Sequence, residues 1–334
     1  GLIMSKNKLQ LYRRPGSIVF VDDETDYLEM IGLVMPDDWN VELFLRPNVC
    51  LEYFRLALHQ TETDLQIQQD IVGKWREGAA LVPQLIQYWA NDNNRYNLPQ
   101  VLIVDYAMPA MNGLELLEKL SDWTGANVML SGRADEHTAV NAFNRGLLEQ
   151  FIPKQTPDIA RNVQLSVKNL MNIPCATRDH IWSETLNRVQ TKLIRTPAVS
   201  LALDEYAQGR WCEHVLIGNP FGILGMSPSG ELEWLQLENA SSLVEIAELV
   251  CQPSVPLSVR QREPELVSGV IISDIELQQS FGTIGETTTR PAFQMGSPDL
   301  LAALFSLDDL PPPLIRPKGY RQWRASKLER AIRY

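Results

Sequence analysis

Apolar residues in the first half of the chain fall into short unbroken runs that close on polar groups. Each run is followed by a stretch with apolar positions three and four apart. "GSIVFVDDE" (16–24) is a β-branched run ending in three acids, and the following "TDYLEMIGLVM" has near-helical spacing. A second unit opens at "VELFLRP". The third is "QVLIVDYAMPAMNGLELLEKL", whose run closes on Asp105. "ANVMLSGRADEHTAVNAFNRG" repeats the pattern with Ser131 at the end of its run, and "LLEQFIPKQTPDIARNVQLSVKNLM" repeats it with Lys154. Five strand-then-helix units predict a five-stranded, parallel, doubly wound α/β sheet with helices on both faces.

In such a sheet the functional cleft lies at the carboxyl ends of the strands, near the point where strand order reverses. Asp22, Asp23, Asp105, Ser131 and Lys154 all fall at those ends. Crowded carboxylates repel one another, and a hard divalent cation that prefers oxygen ligands relieves the repulsion, so Mg2+ is the expected cofactor. A single Asp at a strand end is ordinarily a turn former or helix cap, and a lone Lys is ordinarily solvated. The five groups together carry the argument.

From Asp23 to Asp105 is 82 residues, whereas helix, strand, helix and short loops need roughly 40 to 45. An insertion over about residues 58–98 is therefore expected. Leu65, Ile67, Ile71, Val72 and Trp75, then Leu81, Val82, Leu85, Ile86 and Trp89, predict two amphipathic helices parted near Gly78, with Asn91–Asn94 as a polar stop.

After "NIPCATRDH", the stretch "IWSETLNRVQTKLI" reads as a helix before Pro197, within a helical linker over 173–198. Residues 199–334 change character. "WCEHVLIG" and "FGILGMSPSGELEWLQLE" read as strands, the second folding back at Gly230. "SSLVEIAELVCQ" reads as a capped helix, "ELVSGVIISDIEL" as a strand, "SPDLLAALFSL" as a short helix and "LPPPLIRP" as extended chain. The sum is a smaller α+β domain. Trp211, Phe221 and Trp234 read as core. His214 beside Glu213 is a poor acid–base pair, because neighbours in a strand face opposite ways.

Composition narrows the functional classes. A net charge of −11 argues against a chain whose whole surface embraces nucleic acid. The tail 316–334 is locally basic, with seven cations from Arg316 to Arg333 against the one acid Glu329, and reads as a solvated amphipathic helix. DNA contact there is possible but not favoured, since no supporting helix precedes it. Residues 1–15 read as a leader without an export signal. No apolar run spans a membrane, so a cytoplasmic protein is expected. Cys50, Cys175, Cys212 and Cys251 are widely spaced and read as buried, reduced thiols. No catalytic motif appears after residue 199.

"VDDE", "VDYAMPAMNG", "SG" and "FIPK", in that order, resemble the receiver domain of bacterial two-component response regulators, over residues 16–172. The resemblance implies that Asp105 accepts a phosphoryl group from a sensor histidine kinase. It places Mg2+ on Asp22, Asp23, Asp105 and the backbone carbonyl of Ala107, with Lys154 balancing charge and Ser131 and Phe151 responding to the new phosphate. Phosphorylated receivers commonly dimerise, so a homodimer is the expected active form. A receiver followed by a nonstandard C-terminal domain is also the organisation of the α-hydroxyketone quorum-sensing response regulators. The chain departs from the receiver pattern at Gln155, where proline is usual. Ala107 and Arg133 flank the path of water to the phosphoryl group and imply slow loss of phosphate. Two other outputs remain open: a phosphorylation-gated sensor or enzyme for a small molecule or nucleotide, and an adaptor or phosphate sink.

Overall fold

The structure, a computed structural model, describes residues 9–132, 135–327 and 330–334. The chain forms two compact units that interleave along the sequence. One takes residues 15–66, 94–173 and 324–334, and the other takes residues 1–14, 67–93 and 174–323. Cuts fall at 14/15 and 173/174, within about a residue of the expected boundaries, whereas no cut falls at 198, residues 67–93 join the unit that holds 174–323, and residues 324–334 join the unit that holds 15–66 and 94–173.

Strand β1 (Tyr12–Arg13) belongs to the second unit. The first unit continues with β2 (Ser17–Val21), α1 (Thr25–Val34), β3 (Asn40–Phe44) and the start of α2 (Pro47–Arg76). The insertion completes α2, adds α3 (Leu81–Asn91) and passes to β4 (Pro99–Asp105). Then come α4 (Gly113–Lys119), β5 (Ala126–Ser131), α5 (Glu136–Asn144), β6 (Gln150–Pro153) and α6 (Ile159–Met171). The last strand of the chain, Ile332–Arg333, pairs in parallel with β3. The sheet is parallel and has six strands, one more than the sequence pattern predicts. From the C-terminal strand inward its order is β3, β2, β4, β5, β6.

Every residue of β2 is buried, as are β4 residues from Val101 onward, which explains unbroken β-branched runs in place of alternation. Side-chain alternation splits these strands between two cores. Val19, Val21, Leu102, Val104 and Met129 meet Phe44, Phe54 and Trp123 on one face. Ile18, Phe20, Val101, Ile103 and Leu130 meet Leu28, Ile31 and Val163 on the other. The crossover from β3 over β2 to β4 reverses the winding, so a crevice opens where β2 and β4 end.

The insertion differs from expectation at its start. No break occurs near residue 58, and α2 runs for 30 residues, about 45 Å at helical rise. The break falls where Gly78 takes φ +110°, a conformation other residues resist. Helix α3 then buries Leu81, Val82, Leu85, Ile86 and Trp89 and ends at Asn91.

The basic tail is the largest departure. Among residues 324–334, Arg330 donates to the carbonyls of Gly32 (2.8 Å), Met35 (2.9 Å), Pro36 and Trp39 (3.0 Å), satisfying acceptors at and beyond the end of α1. Lys327 Nζ lies 2.9 Å from Glu42 Oε1, and Arg333 Nη2 lies 2.9 Å from Glu42 Oε2. Buried Glu42 and the orphan carbonyls of α1 give these cations fixed partners, so the expectation of a solvated tail is corrected.

The second unit adds α7 (Ala176–Ser183), α8 (Arg188–Arg195) and α9 (Pro197–Arg210). The single expected helix is thus two. Asn187 caps α8 reciprocally with Gln190, at 2.8 and 2.9 Å, and the chain turns there. Strands β7 (Glu213–Gly218), β8 (Phe221–Met226) and β9 (Leu232–Glu238) form antiparallel hairpins, with Gly230 at φ +92° in the expected turn. Helix α10 (Ala240–Leu249) is capped by Asn239. Helices α11 (Leu257–Arg260) and α12 (Glu263–Ser268) follow, then β10 (Ile271–Ser273) and α13 (Ile275–Phe281). "ELVSGVIISDIEL" therefore holds a strand, but only over Ile271–Ser273, with helix on either side and Gly269 at φ +76° ending the first.

Strands β11 (Thr289–Pro291), β12 (Phe293–Gln294) and β13 (Leu301–Ser306) complete the unit, and α14 (Tyr320–Ser326) leads to β14 (Ile332–Arg333). The segment expected as a short helix is β13, which pairs with β9 over six positions. Its unbroken run "LLAALF" has no period that tells helix from strand. The resulting sheet has the order β1, β7, β8, β9, β13, β12. Trp211, Phe221 and Trp234 are core residues. Glu213 accepts from the Tyr12 hydroxyl at 2.7 Å, while His214 Nε2 lies 2.9 Å from the Gln10 carbonyl oxygen, so the two neighbours have separate partners. All four cysteines are free. Cys50 alone is fully buried, and Cys251 is exposed, contrary to expectation.

Candidate functional site

Strands β2 and β4 deliver their terminal acids to the crevice by register. Val21 pairs with Val104, so Asp22 and Asp23 follow one strand while Asp105 ends its neighbour. Carboxylate oxygens of Asp22, Asp23 and Asp105 lie within 4.8 Å of one another; Asp22 and Asp105 are buried and Asp23 is exposed. The Asp22 backbone N–H donates to the Phe44 carbonyl (3.1 Å), and Asp22 Oδ1 accepts from the Glu24 N–H (2.9 Å). These bonds hold one buried carboxylate rigidly against its charged neighbour.

Lys154, just beyond β6, spans the two buried acids. Its Nζ lies 2.9 Å from Asp22 Oδ2 and 3.2 Å from Asp105 Oδ1. A backbone bond from Lys154 N–H to the Ser131 carbonyl (2.9 Å) fixes the approach. Burial, then the neighbouring Asp22 charge, pushes Asp105 up to about 7, against the pull of Lys154. Burial also raises Asp22, opposed by the Glu24 N–H and by Lys154. Burial acts downward on Lys154, but its bonds to the two carboxylates more than offset this and hold it above its ordinary value. Three acids against one ammonium leave the pocket over-supplied with negative charge.

Ser131 ends β5 beside the strand that carries Asp105. Its buried hydroxyl has no hydrogen-bond partner among the described residues. A buried hydroxyl without a partner is costly, and it is placed to donate to an anion arriving at Asp105. Phe151, which pairs with Met129 on β5, is half-buried against the same core as Met108 and Ala139. Ala107 is exposed in the loop after β4. Arg133 lies outside the described residues.

Two participants were not singled out from the sequence. Tyr27 has its ring centroid 4.9 Å from Lys154 Nζ, and its hydroxyl is pushed up to about 12, first by burial and then by the Asp22 charge. Nothing in the motif set marks it, because its spacing from Asp23 is simply helical. Gly113 is the other. A Cβ there would stand 2.5 Å from the Asp105 carbonyl oxygen and 3.1 Å from Tyr106 Cα, and the Gly113 N–H donates to the Tyr106 carbonyl at 2.9 Å. Gly113→Ala is expected to cost about 1–3 kcal/mol in urea unfolding, because backbone must shift. An unchanged midpoint would show that the loop yields freely.

The donor set fits a hard divalent cation: three oxygen ligands, excess negative charge and no soft ligand among them.

The parallel order, the acid trio at the switch point and the lysine after the last crossover strand define a receiver-type fold. In the solved structures the match extends through the second unit. The chain resembles the Legionella pneumophila response regulator LqsR over 95% of each chain, with a TM-score of 0.64 and 21% identity. It thus has the LqsR fold, a receiver unit with a nonstandard α+β unit. A receiver domain from Clostridium thermocellum aligns over 47% of this chain and 94% of its own, at 18% identity and TM-score 0.31. A CheY-like receiver from Methanospirillum hungatei aligns over the same shares, at 17% and 0.30. No family model matches the sequence, and no curated protein sequence does. Among the described residues, no helix is long and apolar enough to cross a membrane.

Proposed function

We propose that this chain is a cytoplasmic response regulator of a two-component phosphorelay, with Asp105 as phosphoacceptor. The observation that carries the reading is the Lys154 ammonium held between Asp22 and Asp105, one strand away from the unpartnered Ser131 hydroxyl.

Phosphoryl transfer asks the acceptor for positioning and charge neutralisation. An Asp105 carboxylate oxygen attacks the phosphorus of a phosphohistidine on a partner kinase. The P–N bond breaks, the imidazole leaves with its electron pair and takes up a proton, and an acyl phosphate remains on Asp105. Lys154 favours the ionised form of Asp105 before transfer and offsets the added charge afterwards. Asp22, Asp23, Asp105 and the Ala107 carbonyl would hold Mg2+, which when bound neutralises phosphoryl charge. The Ser131 hydroxyl then gains an acceptor, and Phe151, on the neighbouring strand, follows.

That new bond biases a pre-existing equilibrium between inactive and active forms and promotes a homodimer, through which the second unit is controlled. Hydrogen exchange with beryllium fluoride and Mg2+, a phosphoryl mimic, tests the switch. Exchange is expected to slow at Ser131 and across Phe151–Lys154 in the wild type and to stay unchanged in Asp105→Asn. No slowing in the wild type would overturn the reading.

A further inference from the structure

We propose that the groove along α8 is a binding site for an anionic small molecule carrying several phosphoryl groups. The groove lies wholly within the second unit, is broadly open to solvent and offers about 520 Å3, a volume within the range of small-ligand sites. Its walls offer Arg188, Lys192 and Arg195 with the polar groups of Asn187, Thr191 and Thr196. The three cations recur at i, i+4 and i+7, so they share one face and extend along about 10 Å of helix. All three are exposed and make no ion pair or side-chain hydrogen bond among the described residues.

In this stripe, Lys192 and Arg195 lie in the last turn of α8, where the dipole favours them, but Arg188 works against the helix that carries it. Arg188 is the first residue of α8, where the helix dipole disfavours a positive charge. Arg188 and Lys192 are a like-charge pair one turn apart, a destabilising spacing. "RVQTKLIR" contains no acid to offset either effect, although the chain as a whole carries a net −11. An anion seated along the stripe removes both penalties. The lining includes no aromatic ring on which a base could stack. Recognition therefore falls on phosphate oxygens, which arginine grips in a planar fork and lysine as a point charge.

Calorimetric titration of the full chain with inorganic tripolyphosphate, and in parallel with ATP, tests the site. A chelator is present throughout, so that no divalent cation draws either probe to the acidic crevice. Saturable one-site binding of tripolyphosphate is expected. It should weaken at least tenfold in Lys192→Glu and in Arg188→Glu, stay unchanged in Arg290→Glu, an exposed cation of the same unit, and fall steeply with salt. Thermal melting at or above the wild-type midpoint confirms that the exposed-site variants fold, since Arg188→Glu removes a cation from the first turn. Equal affinity for the two probes assigns the site to the phosphate chain alone, and tighter ATP binding assigns it to a nucleotide; both support the proposal. No saturable binding at low salt overturns it, as does binding that the two α8 variants leave intact. Tighter binding of a single-stranded oligonucleotide than of tripolyphosphate also overturns it, making the stripe a nucleic-acid surface.

Discussion

At about pH 9, Glu238→Gln is expected to be more stable than the wild type by about 3–5 kcal/mol, and at about pH 5 the two should nearly coincide. Glu238 is buried on β9 at the end of a polar chain. Trp234 Nε1 donates to Gln236 Oε1 (2.7 Å), and Gln236 Nε2 donates to Glu238 Oε1 (2.8 Å). Burial, then the Glu276 charge, pushes Glu238 up to about 8, with Glu245 adding to the rise and the Ser242 and Gln236 hydrogen bonds opposing it. Between the ordinary carboxyl value and about 8, the folded chain keeps a proton that the unfolded chain has released. Its contribution to stability is complete at acid pH, declines as pH rises through that window and is gone above about 8. Glutamine keeps the buried hydrogen bond and has no charge to expose. Urea unfolding across the range reads the difference, and parallel profiles for the two proteins would remove Glu238 as the cause.

The second large effect is a pair of opposite sign at the acidic crevice. With a chelator present, Lys154→Met is expected to destabilise the chain at alkaline pH by about 2–3 kcal/mol, because two buried carboxylates lose their shared cation. Asp105→Asn is expected to stabilise it by about 1–2 kcal/mol, a figure reduced for solvent screening. The direction follows from Asp105 standing at about 7: the folded state gives up its proton late, so the charged pocket weakens the fold as pH rises. Both effects should shrink at acid pH, where the carboxylates are protonated. If Asp105→Asn is the less stable protein at alkaline pH, the crowding described above is not what governs the pocket.

Much of the parallel unit was legible because buried strands and their terminal acids are local features. "SIVFVDD" and "VLIVD" each carry strand, end and chemistry in one stretch, and the order of five such stretches fixed the crevice. What could not be read depends on distant partners. Leu301–Ser306 is apolar without a period, and only its pairing with β9 makes it a strand. Arg330 and Arg333 look like solvated tail cations until the carbonyls at the end of α1 and the Glu42 carboxylate are placed beside them. Gly113 resembles any loop glycine, and its need for a missing side chain appears only with the Asp105 carbonyl 2.5 Å from a built Cβ. The division of α7 from α8 did have a local signal, Asn187 followed three residues later by Gln190, which the helical periodicity on either side obscured.

The central claim is that Asp105 takes a phosphoryl group, and intact mass after incubation with acetyl phosphate and Mg2+ tests it most directly. The wild type is expected to gain the mass of one phosphoryl group, labile to alkali as an acyl phosphate is, with no gain in Asp105→Asn and a strongly reduced gain in Lys154→Met. An adduct of equal yield in Asp105→Asn, or none in the wild type, would contradict the assignment of Asp105 as phosphoacceptor.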